Sequence, residues 1–198
     1  MIGSVWFVKM KVISKKEFLA DEDFFLKEVK LGKIFIYPTD TIYGIGCDAT
    51  NSDSVLRVRE IKKRDERPFS VVAPNKKWIL ENCVVEVNNV WLAKLPGKYT
   101  LILRLKNKKA VAKEVNSGKG TLGVRIPDNW FAKIVMKFGN PFVTTSVNLS
   151  GESPIESIED LNEDLKKNID YFVDEGILSW TASTIVDLTE GERIISRG

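Results

Sequence analysis

Histidine is absent from this chain of 198 residues. Its absence removes the commonest general base, the histidine partner of Ser and Cys nucleophiles, and most transition-metal sites. No acid and base residues stand out as a pair in its place. An enzyme with this composition would therefore work mainly by positioning its reactants and stabilising their charges.

Cysteine is nearly absent as well, and so is every signature of a membrane protein. Cys47 and Cys83 lack the Cys-x-x-Cys spacing of zinc and redox motifs, so we expect free thiols in a reducing compartment. No apolar run approaches the roughly 20 residues needed to cross a bilayer, and residues 1–12 do not form a signal peptide. We expect a cytoplasmic protein with no membrane partner.

The nucleotide-binding loops with the best-known signatures are missing too. The chain contains neither Gly-x-x-x-x-Gly-Lys-Ser/Thr nor Gly-x-Gly-x-x-Gly, which excludes a P-loop and a Rossmann fingerprint. It offers instead a loop rich in hydroxyls and glycines at residues 37–48, a second hydroxyl-rich loop at 145–151, and the cations Lys62, Lys63 and Arg64. Hydroxyls, an amide and clustered cations suit a polyanion such as a nucleotide.

Charge is unevenly distributed, although the net charge is only +3. Residues 94–125 contain nine Lys or Arg against one acid, Glu114, whereas residues 152–192 contain twelve acids against Lys166 and Lys167. Solvated helix and loops account for the acidic tract. The basic tract is either ordinary surface charge or a surface that attracts phosphates or RNA, and the sequence leaves both interpretations open.

Length and periodicity predict the fold class. A hydrophobic content of 43% is enough for one core, so residues 1–198 are expected to form a single domain. A capping box at Ser14 and Glu17 predicts an amphipathic helix that ends near Gly32, and a second helix is predicted to end at Ile61. Further helices are predicted at 128–138 and 158–167, with strands at 5–12, 33–37, 69–73, 99–105, 121–127, 171–173, 183–188 and 193–196. This mixture indicates an α/β (α+β) domain, a twisted mixed sheet flanked by helices with a basic concave cleft.

Seven motifs together resemble those of a known family. In chain order they are Pro-Thr-Asp-Thr-Ile-Tyr-Gly-Ile-Gly-Cys-Asp at 38–48, Lys-x-Arg at 62–64, Leu-Pro-Gly at 95–97 with Thr100, Gly-Val-Arg-Ile-Pro at 123–127, Ser-x-Asn-x-Ser-Gly at 146–151, Ser-Thr-Ile-Val-Asp at 183–187 and Arg-Gly at 197–198. Each motif is weak alone, but their order along nearly the whole chain is specific. The chain thereby resembles the YrdC-like threonylcarbamoyl-AMP synthases in their short single-domain form.

The resemblance implies a nucleotidyltransferase that joins L-threonine, bicarbonate and ATP into threonylcarbamoyl-AMP and releases pyrophosphate. Mg²⁺ would enter with ATP, and no separate metal site is implied. The product would serve the synthesis of threonylcarbamoyladenosine in tRNA, so tRNA or downstream tRNA-modification proteins are expected partners. This chemistry depends on holding reactants in line, which agrees with the missing histidine.

The resemblance also implies roles for residues of this chain. Thr41 and Arg125 would bind threonine, with the guanidinium clamping its carboxylate. Lys62 and Arg64 would be the catalytic cations and would face the ATP phosphates across a solvent-filled cleft. Hydroxyls, an amide and one more cation would complete the ATP site, namely Thr121, Ser146, Asn148, Ser183 and Arg197. The structural alternatives are a buried ion pair for Arg125 and turn positions for Ser146 and Asn148.

The chain also departs from the family pattern. Residues 64–68 are one residue shorter than usual and include Asp65 and Glu66, which would weaken phosphate binding nearby. The histidine that longer members carry near Val72 is missing. Two other functions remain open: a non-catalytic RNA-binding or ribosome-maturation module that uses the same cleft, and the carbamoyl-adenylate chemistry of hydrogenase maturation.

Overall fold

The computed structural model describes residues 10–63, 67–148, 152–179 and 181–195. Within these ranges ten strands form one sheet. The strands are β1 (Lys11–Ser14), β2 (Phe35–Tyr37), β3 (Gly44–Gly46), β4 (Ser70–Val72), β5 (Tyr99–Arg104), β6 (Thr121–Arg125), β7 (Phe142–Ser146), β8 (Tyr171–Asp174), β9 (Thr184–Asp187) and β10 (Arg193–Ile195). The helices are α1 (Lys15–Ala20), α2 (Glu22–Lys30), α3 (Ser52–Ile61), α4 (Lys76–Asn82), α5 (Val90–Ala93), α6 (Lys113–Asn116), α7 (Trp130–Phe138) and α8 (Glu163–Lys166). None of these helices is long and apolar enough to cross a bilayer.

The sheet is mixed, with the strand order β1-β8-β2-β3-β7-β4-β6-β5-β9-β10. Neighbours are parallel in the pairs β1–β8, β2–β8, β4–β6 and β5–β9, and antiparallel in the others. Strand β7 lies in the middle of the sheet and joins its two halves, because it pairs with β3 on one side and with β4 on the other. The prediction of a mixed sheet flanked by helices is confirmed.

The predicted capping box is present, but the helix it opens is interrupted. The Ser14 hydroxyl accepts from Glu17 N at 3.2 Å, and the Glu17 carboxylate accepts from Ser14 N at 2.7 Å. At Asp21 the backbone leaves the helical region with φ −132° and ψ 45°, so α1 ends there and α2 begins. Gly32 follows α2 with φ +82°, a left-handed conformation that glycine adopts without strain.

The continuous helix predicted at 158–167 is wrong. The Asp160 carboxylate accepts from the backbone N–H groups of Glu156 and Ser157, both at 3.0 Å, and closes a 3₁₀ turn over Ile158–Asp160. Asn162 then caps α8 by accepting from Leu165 N at 2.8 Å. Two side chains that cap so close together start two short helical segments instead of one helix.

The loop predicted at 37–48 contains a strand. Strand β3 lies between β2 and β7, and a Cβ atom at Gly46 would sit 1.8 Å from the Val143 carbonyl oxygen. Only glycine permits this close approach of two backbones. The prediction failed because glycine is depleted in strands, so Gly44 and Gly46 concealed one.

Side chains alternate between two faces of the sheet, which are covered differently. The lower face carries the larger core, including Ile36, Ile45, Val71, Leu101, Val124 and Phe172, and α3 packs on it. On the upper face, aromatic and aliphatic side chains of α1, α2 and α7 pack on β2 and β8. This upper core extends to Val72 of β4 and Phe142 of β7, and beyond them the upper face is open.

Candidate active site

A cleft of about 420 Å³ occupies the open part of the upper face. Alternation along each strand brings its residues together: Thr144 and Ser146 on β7 follow Phe142 on the same face, and Ser70 on β4 precedes Val72. Ten hydroxyl-bearing residues line the cleft, namely Thr39, Thr41, Tyr43, Ser70, Thr100, Thr121, Thr144, Thr145, Ser146 and Ser183, against two cations, Lys119 and Arg125. The arrangement is suited to hydrogen bonding more than to bulk charge attraction.

Small residues keep the floor of the cleft low. Ser70 and Gly123 are register partners on β4 and β6, and a Cβ atom at Gly123 would lie 2.4 Å from the Ser70 hydroxyl. Gly44 on β3 leaves comparable room, because a Cβ atom there would lie 3.3 Å from the Thr144 hydroxyl. At Gly44, Ser70 and Gly123 no large side chain therefore covers the sheet where a ligand would lie.

A directed chain of hydrogen bonds fixes Thr41 at one end of the cleft. The Thr39 hydroxyl donates its single proton to Ile42 O at 2.7 Å. The Thr41 hydroxyl therefore donates to Thr39 Oγ1 at 2.9 Å, and it accepts from Arg125 Nη1 at 3.2 Å. The structure thus places the two residues expected to bind threonine in direct contact.

Arg125 is both a cleft residue and half of a buried ion pair. Its Nη2 pairs with Asp40 Oδ1, and the side chains of the two residues are only 7% and 5% exposed. Asp40 Oδ2 accepts from Asp128 N at 2.9 Å. Sequence reasoning missed Asp40. Its position between two threonines in a short polar motif was a signal, but nothing local indicates a partner 85 residues away.

Three residues expected at the nucleotide line the cleft, namely Thr121, Ser146 and Ser183. The Ser183 hydroxyl lies 2.7 Å from the Thr100 hydroxyl, and both residues are buried. The Ser146 hydroxyl donates to Asn148 Oδ1 at 2.6 Å, since a carboxamide oxygen can only accept. Asn148 itself lies beyond the cleft wall, where its amide donates to Glu152 O at 2.7 Å.

Lys62 does not face the open cleft. Its side chain is buried, and its ammonium donates to Ser146 O at 2.6 Å, to Asn148 Oδ1 at 2.8 Å and to Asn148 O. These bonds tie the end of α3 to the segment after β7. The Lys62 side chain was predicted to face a solvent-filled cleft, and this prediction is wrong. Backbone oxygens of a neighbouring strand accept hydrogen bonds from its ammonium and so satisfy its charge.

Two predicted site residues lie outside the described part of the chain, and sequence reasoning missed cleft residues besides Asp40. Arg64 and Arg197 lie outside the described residues, as do Asp65 and Glu66. Lys119 and Thr144 line the cleft although no motif pointed to them. Lys119 lies two positions before Thr121, and Thr144 lies two positions before Ser146. Residues two positions apart on a strand share a face, so this spacing was the signal that could have found them.

The titratable groups near the cleft are structural. Burial raises the pKa of Tyr43 to about 12, and its hydroxyl accepts from Glu175 N at 2.9 Å and donates to Gly176 O at 2.8 Å. Burial also raises the pKa of Tyr37, whose hydroxyl donates to Val143 O at 3.0 Å. Among the described residues no group of three His, Cys, Asp or Glu side chains is placed to hold a metal ion. Cys47 and Cys83 are free, as predicted, and the structure buries both.

Known proteins are similar to this chain in sequence and in fold. The family model for Sua5, YciO and YrdC proteins, described as telomere recombination, matches residues 27–198. The chain is 31% identical to the putative threonylcarbamoyl-AMP synthase of Methanocaldococcus jannaschii, over 96% of this chain and 92% of that protein.

Solved structures of other proteins superpose on this chain. E. coli YciO superposes with a TM-score of 0.81 at 24% identity and matches 96% of both chains, which shows the fold. The P. abyssi Sua5 complexed with L-threonine superposes with a TM-score of 0.78 at 26% identity over 91% of this chain. The chain spans about half the length of that protein, 54%. Because the family model covers most of the sequence, the chain belongs to the Sua5/YciO/YrdC family.

Proposed function

We propose that this protein is an L-threonylcarbamoyladenylate synthase that uses L-threonine, bicarbonate and ATP. One observation carries the proposal: a carboxylate-binding arrangement, Arg125 with Thr41, lies on the same open sheet face as the hydroxyl row Thr121, Ser146 and Ser183. One end of the cleft suits an amino acid, and the rest suits a nucleotide. The similarity to a putative threonylcarbamoyl-AMP synthase at 31% identity and to a Sua5 structure complexed with L-threonine supports threonine as the amine substrate.

The reaction would proceed by positioning. The amine of threonine adds to the carbon of bicarbonate, water leaves, and the resulting carbamate oxygen attacks the α-phosphorus of ATP while pyrophosphate departs. Arg125 would hold the threonine carboxylate with planar N–H groups, and Thr41 would contact the same substrate. Holding the carbamate in line with the phosphorus supplies much of the rate, of order 7–11 kcal/mol in well-oriented intramolecular reactions.

ATP would enter as its Mg²⁺ complex, so the ion belongs to the substrate. We assign the phosphates to the part of the cleft near Thr121, Ser146 and Lys119, with Arg64 and Arg197 as further cations. Lys62 would act there through Ser146 and Asn148, which its ammonium holds. The product would pass to tRNA-modifying proteins or to tRNA, in the cytoplasm where ATP and tRNA are available.

The second candidate is an RNA-binding module, because most cations of the basic tract at residues 94–125 are exposed at the protein surface. Eight of its nine cations are exposed, namely Lys94, Lys98, Arg104, Lys106, Lys108, Lys109, Lys113 and Lys119, and the ninth, Arg125, is buried. RNA would contact the exposed set and give an affinity that falls with salt. Arg125, paired with Asp40 inside the cleft, would not contribute.

The deciding experiment combines protein, ATP, Mg²⁺, bicarbonate and single amino acids, followed by mass spectrometry for an acyl-adenylate and an assay for pyrophosphate. We expect both products with threonine. Arg125→Lys keeps the charge but loses the planar fork, so it should raise the threonine requirement without altering the salt slope of tRNA binding. Tight tRNA binding with no acyl-adenylate for any amino acid would refute the synthase and favour the RNA-binding module.

A further inference from the structure

We propose that Asp40 determines which end of the cleft the phosphates occupy, by reserving Arg125 for a ligand with a single carboxylate and excluding phosphates from it. The inference rests on the proposed function and deepens it. Asp40 would be a specificity residue that acts through Arg125 and touches no reacting atom.

The position of Asp40 is fixed from two sides. Asp40 lies in the bend between β2 and β3, where its Oδ1 pairs with Arg125 Nη2. Its Oδ2 accepts from the backbone N–H of Asp128, which lies between β6 and α7, at 2.9 Å. Both partners of the ion pair are almost fully buried, so neither can rotate into solvent without losing these bonds.

Such a pair presents donors without net positive charge. A planar carboxylate can still use the guanidinium, because the geometry of the fork and not the net charge determines a bidentate contact. A triphosphate brings several negative charges close to the Asp40 carboxylate, and like charges repel strongly where water is partly excluded. Arg125 therefore discriminates between the two anions that the proposed reaction needs in one cleft.

The opposite end of the cleft lacks this neutralisation. Lys119 lines the cleft just before Thr121, and no described acid lies within ion-pair distance of its ammonium. Thr121 and Arg125 are four residues apart on β6, which at about 3.3 Å per residue separates the two ends by about 13 Å. One cleft cation is thus neutralised and the other is not, and this asymmetry orients ATP with its phosphates away from Arg125.

The test uses Asp40→Asn, which keeps the shape of the side chain and removes its charge. Pyrophosphate is titrated calorimetrically in bicarbonate buffer, with and without saturating L-threonine. In the wild-type protein we expect threonine to leave the pyrophosphate affinity unchanged. In the variant, Arg125 becomes open to phosphate, so threonine and pyrophosphate should compete, and threonine at about ten times its Kd should lower the apparent pyrophosphate affinity about tenfold. A merely structural role would weaken both ligands without making them compete.

Asp128→Asn is the matched control. It removes an exposed carboxylate next to the pair but keeps the backbone N–H that holds Asp40, so it should behave like the wild-type protein. Absence of competition in folded Asp40→Asn overturns the inference. If thermal unfolding shows that this variant does not fold, the wild-type titration decides alone, because displacement of pyrophosphate by threonine there also overturns it. A wild-type protein that forms no acyl-adenylate refutes the proposed function, whereas normal synthesis without the expected competition refutes only the role of Asp40.

Discussion

The covered and open halves of the upper sheet face use the same strand periodicity for opposite purposes. In the covered half, Phe131 of α7 stacks on Tyr37 of β2 with ring centroids 4.3 Å apart, and no room is left for a ligand. In the open half, Gly123 and Ser70 occupy equivalent positions, and a cleft of about 420 Å³ lies above them. Two residues that follow each other on the same face of one strand, such as Phe142 and Thr144 of β7, can therefore belong to different halves.

In this sheet, stability and binding are separated by position along a strand and not by domain. Helices pack over the large apolar side chains, because burial of their surface stabilises the fold. The small and hydroxyl-bearing residues remain uncovered, since burying a hydroxyl without a hydrogen-bond partner is unfavourable. Substitutions in the two halves should therefore have opposite profiles of stability and activity.

The largest effect is expected for Phe131→Ala in the covered half. Removal of this buried ring leaves a cavity against Tyr37 and should lower the free energy of unfolding by about 3–5 kcal/mol. Urea denaturation measures the change. At temperatures where the variant remains folded, product formation per molecule should stay close to that of the wild type. A comparable loss of activity in the folded variant would show that the two halves are not independent.

A shift to alkaline pH should destabilise the core of the lower face. Burial raises the pKa of Cys83 to about 11 and also raises the pKa of Cys47. The folded state therefore favours the neutral thiol, and the stability this provides is full below about pH 8.5 and is lost as pH rises towards 11. The slope for one thiol is at most about 1.4 kcal/mol per pH unit.

Unfolding in urea between pH 8 and pH 10.5 tests this dependence. Cys83→Ala should flatten the alkaline slope, whereas a cleft substitution such as Thr121→Ala should leave the slope as it is. An unchanged slope in Cys83→Ala would contradict the assignment of alkaline sensitivity to this buried thiol.

Lys62→Met probes the boundary where the cleft wall meets α3. The substitution removes a donor from Ser146 O and from both oxygens of Asn148, and the loss of a hydrogen bond to a buried acceptor costs about 1–3 kcal/mol. We expect a lower midpoint of thermal unfolding together with reduced activity. Lys63→Met is the control, since Lys63 is exposed on the neighbouring position. Equal midpoints for both variants would mean that the Lys62 ammonium is solvated after all.

The smallest change in stability is expected for Thr121→Ala in the open half. Thr121 is only partly buried and lines the cleft, so the free energy of unfolding should change by less than about 0.5 kcal/mol. Product formation should nevertheless fall, by about tenfold for one charged hydrogen bond to ATP. Thr184→Ala, an exposed position on β9, is the matched control and should alter neither quantity. Full activity in Thr121→Ala would remove this residue from the proposed ATP site.

Several features could be predicted because they are local. The Ser14 capping box depends on a spacing of three residues, and alternation along β6 places Thr121, Gly123 and Arg125 on one face. The strand at Gly44–Gly46 could not be predicted, because its stability comes from two neighbouring strands and not from its glycines. The motif resemblance had already grouped Thr41 with Arg125, and the structure places them 3.2 Å apart.

Residue types and local spacing encode most of the helices and strands, the hydroxyl-rich composition of the cleft and the family. The fold as a whole determines which charges are available in that cleft. Arg125 is paired with Asp40 across 85 residues, and Lys62 is held by Ser146 across 84. Both pairings follow from a strand order in which β7 lies between β3 and β4. Residue spacing encodes which face a side chain occupies, but the partner it meets there depends on which strands become neighbours, and that is a property of the whole sheet.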